Sequence, residues 1–198
     1  MEILKLFLKE ATDGKRQIIY IDEAHIQLDT DEGYGWSVSG ERAWVSSSSV
    51  GRKKVSFFGV YLYNQGKTRI YPYLTADTES TCDVLKKIQE EFDFKEATII
   101  WDGASYHKSD RVKERAEELG IKLQLLPAYS PDFMPVEHLW QWLREDVTYH
   151  ACHKNECELI KQVRIFEDHI NSEPLIVADR LWTKTSLNLE EEKLRFSK

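Results

Sequence analysis

The chain has 198 residues, and its 27 basic and 34 acidic side chains give a net charge of −7. Hydrophobic residues make up 41% of the chain, which is enough for a sizeable core, while a mean hydropathy of −0.51 argues against a membrane protein. The three cysteines are too few for a disulfide framework, so a reducing cytoplasm is the expected location. The acidic balance disfavours a general nucleic-acid binder, although basic stripes can be local.

Hydrophobic patterning predicts strands early in the chain and alternating strands and helices later. The apolar, β-branched run Gln17–Ile21 predicts a buried strand that ends on Asp22. Four more strands are predicted at residues 54–64, 68–74, 97–101 and 121–126, with "NQG" as a hairpin turn after the first of these. Helical spacing of apolar residues predicts helices at 78–92, 109–119, 135–147 and 156–170.

This order of elements predicts an α/β fold. Strands that precede helices are typical of parallel βα units, whereas the hairpin-connected strands are antiparallel. We therefore expect a mixed sheet of five or more strands with helices on both faces. Residues 1–16 are expected to be a lead or linker, 17–150 the core and 151–198 a helical extension of the same domain. The amphipathic stretch Ile3–Leu8 could be a linker or a dimer contact.

Three acidic residues stand at positions that favour chemistry. Asp22 and Asp102 each follow a predicted buried strand, and functional groups collect at the carboxyl ends of strands in open α/β sheets. Glu137 lies two residues after Pro135, in the first turn of a predicted helix, where the helix dipole favours its ionised form. The alternatives are that the aspartates cap turns and that the glutamate faces solvent. Glu23 should point to the opposite strand face from Asp22 and play a supporting role.

Three segments resemble the catalytic blocks of a known family. "IIYIDEAHIQ", "IIWDGASYHKS" and "LLPAYSPDFMPVEHLWQWLREDVTYH" are similar to those of the IS630 group of the IS630–Tc1–mariner transposase superfamily. Thirty-four residues lie between Asp102 and Glu137, which matches the spacing in that family. The resemblance extends from about Gln17 to Ile170. The sequence departs from the family pattern at Gly103 and Met134, where many relatives have asparagine.

The resemblance implies an RNase H-like fold, with Asp22, Asp102 and Glu137 as catalytic residues that bind two Mg²⁺ ions or, as a substitute, Mn²⁺. Hard cations prefer carboxylate oxygen, and two ions about 3.5–4 Å apart can clamp the attacking and leaving oxygens of a phosphoryl transfer. The implied activity is cleavage of DNA at transposon ends and joining of the 3′-end to target DNA, usually at TA.

The implied partners are double-stranded DNA, as terminal inverted repeats and target, and a second copy of the full transposase. The implied setting is the nucleoid of a prokaryotic cytoplasm. Relatives carry an N-terminal helix-turn-helix region, which residues 1–16 are too short to hold. The chain is therefore expected to be a second reading frame or a truncated piece that binds DNA weakly.

Four basic residues are candidates for contact with the DNA backbone: Arg52, Lys53, Lys54 and Lys108. Each could instead belong to a solvated turn or helix start. Two other functions stay open at this point. One is an inactive or domesticated DNA-binding or assembly module, and the other is a different RNase H-like nuclease that cuts RNA–DNA hybrids or junctions.

Overall fold

A computed structural model describes residues 2–31, 33, 37–41, 44, 45, 47, 53–92, 97–104, 106–126 and 133–181. The elements in chain order are α1 (Glu2–Thr12), β1 (Gln17–Gln27), β2 (Lys54–Leu62), β3 (Lys67–Tyr73), α2 (Thr78–Phe92), β4 (Ala97–Trp101), α3 (Asp110–Glu118), β5 (Ile121–Leu125), α4 (Val136–Leu143), α5 (Glu156–Asn171) and α6 (Pro174–Arg180). Over these ranges, no helix has the length and apolar character that a membrane span requires.

The five strands form one mixed sheet in the order β3-β2-β1-β4-β5. The antiparallel pairs β1–β2 and β2–β3 come from the hairpin-rich first part of the chain. The parallel pairs β1–β4 and β4–β5 come from the part where strands alternate with helices. The α/β class and the mixed sheet of the sequence prediction are confirmed.

Strand β1 lies at the centre of the sheet and is buried on both faces. Its even-numbered residues Ile18 and Tyr20 join a hydrophobic cluster with α1, α4, α5 and α6. Its odd-numbered residues Ile19 and Ile21 join a second cluster with α2 and α3. Side chains alternate between the faces of a strand, so this one run of apolar residues supports helices on both sides of the sheet.

The predicted end of β1 is wrong, since the strand continues past Asp22 to Gln27. Its parallel pairing with β4 ends at Tyr20 and Ile100, but its antiparallel pairing with β2 continues to Gln27 and Lys54. Asp22 is therefore not terminal in its strand. It lies just beyond the parallel pairing, two residues after Tyr20, as Asp102 lies two residues after Ile100. The register thus brings the two aspartates to the same edge.

The predicted helices at 78–92 and 156–170 are confirmed, and α3 ends just before Gly120, whose φ is +67°. The predicted helix at 135–147 is α4 followed by one π-helical turn, Arg144–Thr148. Helix α6 was not predicted; Pro174 occupies its first turn, a position where the missing N–H of proline costs nothing.

Helix α1 packs on the sheet. Leu4, Phe7 and Leu8 are buried in the cluster that also contains α4 and α5. The Asn64 amide fastens the helix end to β1, because its Nδ2 donates to the carbonyls of Ala11 and Arg16 and its Oδ1 accepts from the Ile18 N–H. Within the stretch Ile3–Leu8, the side chains of Leu4, Phe7 and Leu8 are therefore covered by the chain's own core, while Leu6 is exposed.

Candidate active site

The three acidic residues singled out in the sequence line one pocket of about 780 Å³. Strand β1 supplies Asp22, the residue after β4 is Asp102, and the first turn of α4 supplies Glu137. The remaining lining residues come mainly from the same elements and the π-helical turn: Glu23, Ala24, His25, His138, Trp140, Gln141, Arg144 and Tyr149. The pocket is thus built where the central strands and the start of one helix meet.

Asp22 is the buried acid of this pocket, with 8% of its surface exposed. Its Oδ2 accepts a hydrogen bond of 3.0 Å from Nε1 of Trp140. Burial, followed by the negative charges of Glu137 and Glu23, raises the pKa of Asp22 to about 7, against the smaller lowering effect of the Trp140 bond. A carboxylate whose charge is so poorly compensated is suited to binding a cation.

Asp102 is held by His107, which is almost completely buried. His107 Nδ1 lies 2.9 Å from Asp102 Oδ1, and His107 Nε2 lies 2.7 Å from Glu23 Oε1. The imidazole ring stacks on Trp101 with centroids 4.4 Å apart and planes 6° from parallel. The two carboxylates and the aromatic face therefore fix the ring in position and orientation.

The pKa values of His107 and Asp102 follow from these contacts. Burial lowers the pKa of His107, but the hydrogen bonds to Asp102 and Glu23 outweigh it and raise the pKa to about 9. The bond from His107 in turn lowers the pKa of Asp102, with a further contribution from the Ala104 N–H and an opposing one from burial. At neutral pH His107 is thus a cation between two carboxylates and donates from both ring nitrogens.

The residues present fit a hard divalent cation. Among the described residues, the atoms of Glu23, Asp102 and His107 lie within 4.8 Å of one another, which makes them a metal-competent group by distance. Both nitrogens of His107 are already engaged by carboxylates, so this ring serves as a counter-charge and is not free to be a ligand. The pocket is lined by four carboxylates, those of Asp22, Glu23, Asp102 and Glu137, and oxygen donors of this kind are what Mg²⁺ and Mn²⁺ prefer.

The candidate DNA-contacting residues fall in different places. The Lys108 ammonium lies beside the loop after Asp102, since a Cβ at Gly103 would be 3.2 Å from its Nζ. Gly103, a departure from the family pattern, therefore leaves room for this cation. Lys53 pairs with Glu156 at 3.6 Å, and Lys54 is exposed at the start of β2. Neither lysine lines the pocket, and Arg52 lies outside the described residues.

Two residues that line the pocket, Trp140 and Arg144, were not among the predicted site residues. The ring of Trp140 is buried on the apolar face of its helix, while its N–H bond to Asp22 cannot be read from the sequence. Arg144 was not considered, although it lines the pocket and lies seven residues, about two helical turns, after Glu137. That spacing on one helical face is the signal that could have identified it.

Fold and site together define a class: a mixed-sheet α/β domain whose carboxylates converge where the parallel pairing of its central strands ends. Residues 17–160 match the family described as "DDE superfamily endonuclease", and the chain belongs to that family. The chain is also similar to the insertion element IS630 uncharacterized 39 kDa protein of Shigella sonnei, at 26% identity over 165 residues, which are 81% of this chain and 47% of the relative.

A second relative is the uncharacterized protein y4pE/y4sA of Sinorhizobium fredii, at 33% identity over 92 residues, which are 45% of this chain and 64% of the relative. The chain therefore spans about half to two thirds of the length of these two relatives. These matches confirm the resemblance to the IS630 group that the sequence blocks indicate.

Solved structures confirm the fold. A pre-cleavage Mos1 transpososome is similar with a TM-score of 0.65 at 14% identity, over 98% of this chain and 59% of the other. The mariner Mos1 paired end complex with Mg has a TM-score of 0.65 at 17% identity, over 99% of this chain and 59% of the other. The catalytic domain of Mos1 mariner transposase has a TM-score of 0.61 at 14% identity, over 98% of this chain and 88% of the other. The domain thus has the RNase H-like fold of mariner transposase catalytic domains.

Proposed function

We propose that this DDE-family domain hydrolyses phosphodiester bonds at transposon ends and transfers the resulting 3′-end into target DNA, at TA. Asp22, Asp102 and Glu137 are the proposed catalytic residues and metal ligands. The observation that carries the proposal is their convergence in one pocket from three separate elements of the chain.

The proposed cofactor is a pair of Mg²⁺ ions, with Mn²⁺ as a substitute. Ions bound there would lower the pKa of the attacking water and stabilise the leaving oxygen. The chain's own contribution is to arrange the oxygens that hold them. Asp22 is aligned by Trp140, and Asp102 is aligned by His107. Glu137 sits in the first turn of α4, where the helix dipole favours its charged form.

The proposed substrate is double-stranded DNA with the terminal inverted repeats of the element, bound by a transposase dimer. Structures of similar fold are described as Mos1 paired end and strand transfer complexes, which supports this choice of substrate. On this chain, Lys108 and Arg144 place positive charge beside the acidic pocket, where a phosphate backbone would lie. We propose the same role for Lys53 and Lys54 at the start of the neighbouring strand β2, with Arg52 before them in the sequence.

The test is calorimetric titration of the purified chain with Mg²⁺ and Mn²⁺, together with metal-dependent nicking of a terminal-repeat duplex. Asp102→Asn removes a ligand and a negative charge, so it should abolish both binding and nicking. Asp168→Asn, at an exposed acid of α5 outside the pocket, makes the same chemical change and should leave both intact. Metal binding that is absent, or that Asp102→Asn leaves unchanged, would sink the proposal. Faster cleavage of an RNA–DNA hybrid would indicate another RNase H-like nuclease.

A further inference from the structure

Trp140 combines two properties that a core residue does not need together. Its ring is buried with 3% exposure, in the cluster between α4 and the sheet. Its Nε1 donates to Asp22 Oδ2 at 3.0 Å, and the contact is buried. Packing alone would be satisfied by any ring of suitable size, but this ring presents a hydrogen-bond donor to an acid of the pocket.

The position of Trp140 on α4 links two of the proposed ligands. It lies three residues after Glu137, so the two share one side of the helix and both line the pocket. One turn of α4 therefore supplies a carboxylate and, beside it, an N–H that reaches the carboxylate of another element. An indole donates and cannot accept, so it can orient Asp22 without competing for a cation.

A glycine on the neighbouring strand makes room for this indole. Gly59 of β2 is the direct register partner of Asp22 on β1. A Cβ at position 59 would lie 2.6 Å from Cζ2 and 2.8 Å from Cη2 of Trp140, and 2.8 Å from Cγ1 of Val136. Its φ lies outside the left-handed range. What Gly59 supplies is therefore space, and the space is filled by the edge of the indole ring.

We propose that Trp140 is a positioning residue for Asp22 and that Gly59 is the residue that admits it. The N–H of Trp140 holds Oδ2, which fixes the rotation of the carboxylate and turns its other oxygen to the pocket. Through the same contact, the orientation of Asp22 is coupled to the helix that carries Glu137. This inference rests on the proposed function, because it concerns how the proposed ligands are arranged.

The test compares Trp140→Phe with Trp142→Phe in the full chain. Both replace a buried tryptophan of α4 by phenylalanine, but Trp142 packs edge-on against Phe166, with centroids 5.7 Å apart, and does not line the pocket. Calorimetry should show that Trp140→Phe weakens Mn²⁺ binding about tenfold, the usual scale for losing a partner of a ligand. Trp142→Phe should leave the Mn²⁺ affinity unchanged, whatever either change does to the metal-free melting temperature.

Gly59→Ala provides an independent test, because it leaves the indole N–H of Trp140 in place and displaces the ring. It should weaken Mn²⁺ binding in the wild-type background, and it should have much less effect in the Trp140→Phe background, where the large ring is already gone. In nicking assays, Trp140→Phe should raise the Mn²⁺ concentration needed for half-maximal rate, and saturating Mn²⁺ should restore most of the rate.

Three outcomes would overturn the inference. One is an unchanged Mn²⁺ affinity in Trp140→Phe. The second is an equal loss in Trp142→Phe, which would show a general packing effect. The third is an effect of Gly59→Ala that is the same in both backgrounds. In all three cases wild-type binding stands, so the proposed function survives. A wild-type chain that binds no Mn²⁺ would instead overturn the proposed function and this inference together.

Discussion

At the scale of single residues, the charge of Asp22 destabilises the folded protein when no metal is bound. Its pKa is raised from an ordinary 3.8 to about 7, mainly by burial and by the charge of Glu137. The folded protein therefore holds this proton more tightly than the unfolded chain between these two pH values, and stability falls as pH rises through them. Since one pKa unit corresponds to about 1.4 kcal/mol, the charged carboxylate costs the metal-free fold about 4 kcal/mol above pH 7.

We therefore expect Asp22→Asn to stabilise the metal-free protein at pH 8 by about 2–4 kcal/mol and to change it little at pH 4. The asparagine Oδ1 can still accept from Trp140, so the change isolates the charge. Urea unfolding at the two pH values measures the effect, with Asp168→Asn as the exposed control. A gain of equal size at both pH values would show that the charge of Asp22 is not its cause.

His107, in contrast to Asp22, stabilises the fold while it is charged, and this stabilisation is lost at higher pH. Its pKa is raised from 6.5 to about 9 by Asp102 and Glu23, despite burial. The ion pairs therefore stabilise the fold fully below pH 6.5, and this stabilisation, about 3 kcal/mol, is lost as pH rises through 9.

The expected result is a fall in the free energy of unfolding between pH 6.5 and 9 in the wild type and a much flatter profile in His107→Gln. His169→Gln, at an exposed histidine of α5, should keep the wild-type profile. The titration of His107 by NMR provides a direct check. A midpoint near 6.5 would contradict the charged ring between Glu23 and Asp102.

At the scale of elements, helix α5 protects the outer edge of the sheet. The outward N–H groups of β3 are taken by two side chains one helical turn apart. Glu167 Oε2 accepts from Ile70 N at 2.9 Å, and Asn171 Oδ1 accepts from Thr68 N at 2.8 Å. Asn171 Nδ2 also donates to the Thr68 carbonyl at 2.9 Å. An uncovered edge strand offers such groups to other chains, so these bonds guard against association as well as supporting the fold.

Asn171→Ala is expected to lower the free energy of unfolding by about 1–3 kcal/mol, because it leaves backbone groups of β3 without partners. It should also increase association at high protein concentration. Chemical denaturation measures the first effect and light scattering the second. Gln162→Ala, at an exposed amide on the same helix, serves as the control. Equal losses in both variants would mean that only helix propensity is affected.

The elements also show which parts of the fold can be predicted from the sequence and which cannot. Helix α2 was predicted to the residue, since its apolar face repeats regularly over four turns. The extension of β1 beyond Asp22 depends on pairing with β2 and is invisible in local patterning. The same holds in the site. Asp22, Asp102 and Glu137 could be selected by type and spacing, whereas the tryptophan and glycine at Asp22 are recognised only when three elements are in place.

At the scale of the whole molecule, the net charge of −7 opposes binding to DNA, while a few cations lie beside the pocket. The overall charge and the local cations affect the salt dependence of DNA affinity in different ways. A cation in contact with a phosphate releases a condensed counterion, and each such contact contributes about −0.9 to the slope of log affinity against log salt concentration. A cation elsewhere changes only the long-range field, which salt screens over about 10 Å.

Lys108 lies beside Gly103, in the loop after Asp102, and is one of the proposed DNA contacts. We expect Lys108→Ala to weaken binding of a duplex regardless of its sequence and to reduce the salt slope by about 1. Lys161→Ala removes the same charge from an exposed site on α5 outside the pocket, so its slope should equal that of the wild type. Fluorescence anisotropy at several salt concentrations gives both slopes under identical conditions. If the two variants share one slope, Lys108 acts only through the field of the molecule, and the DNA path must lie elsewhere on this surface.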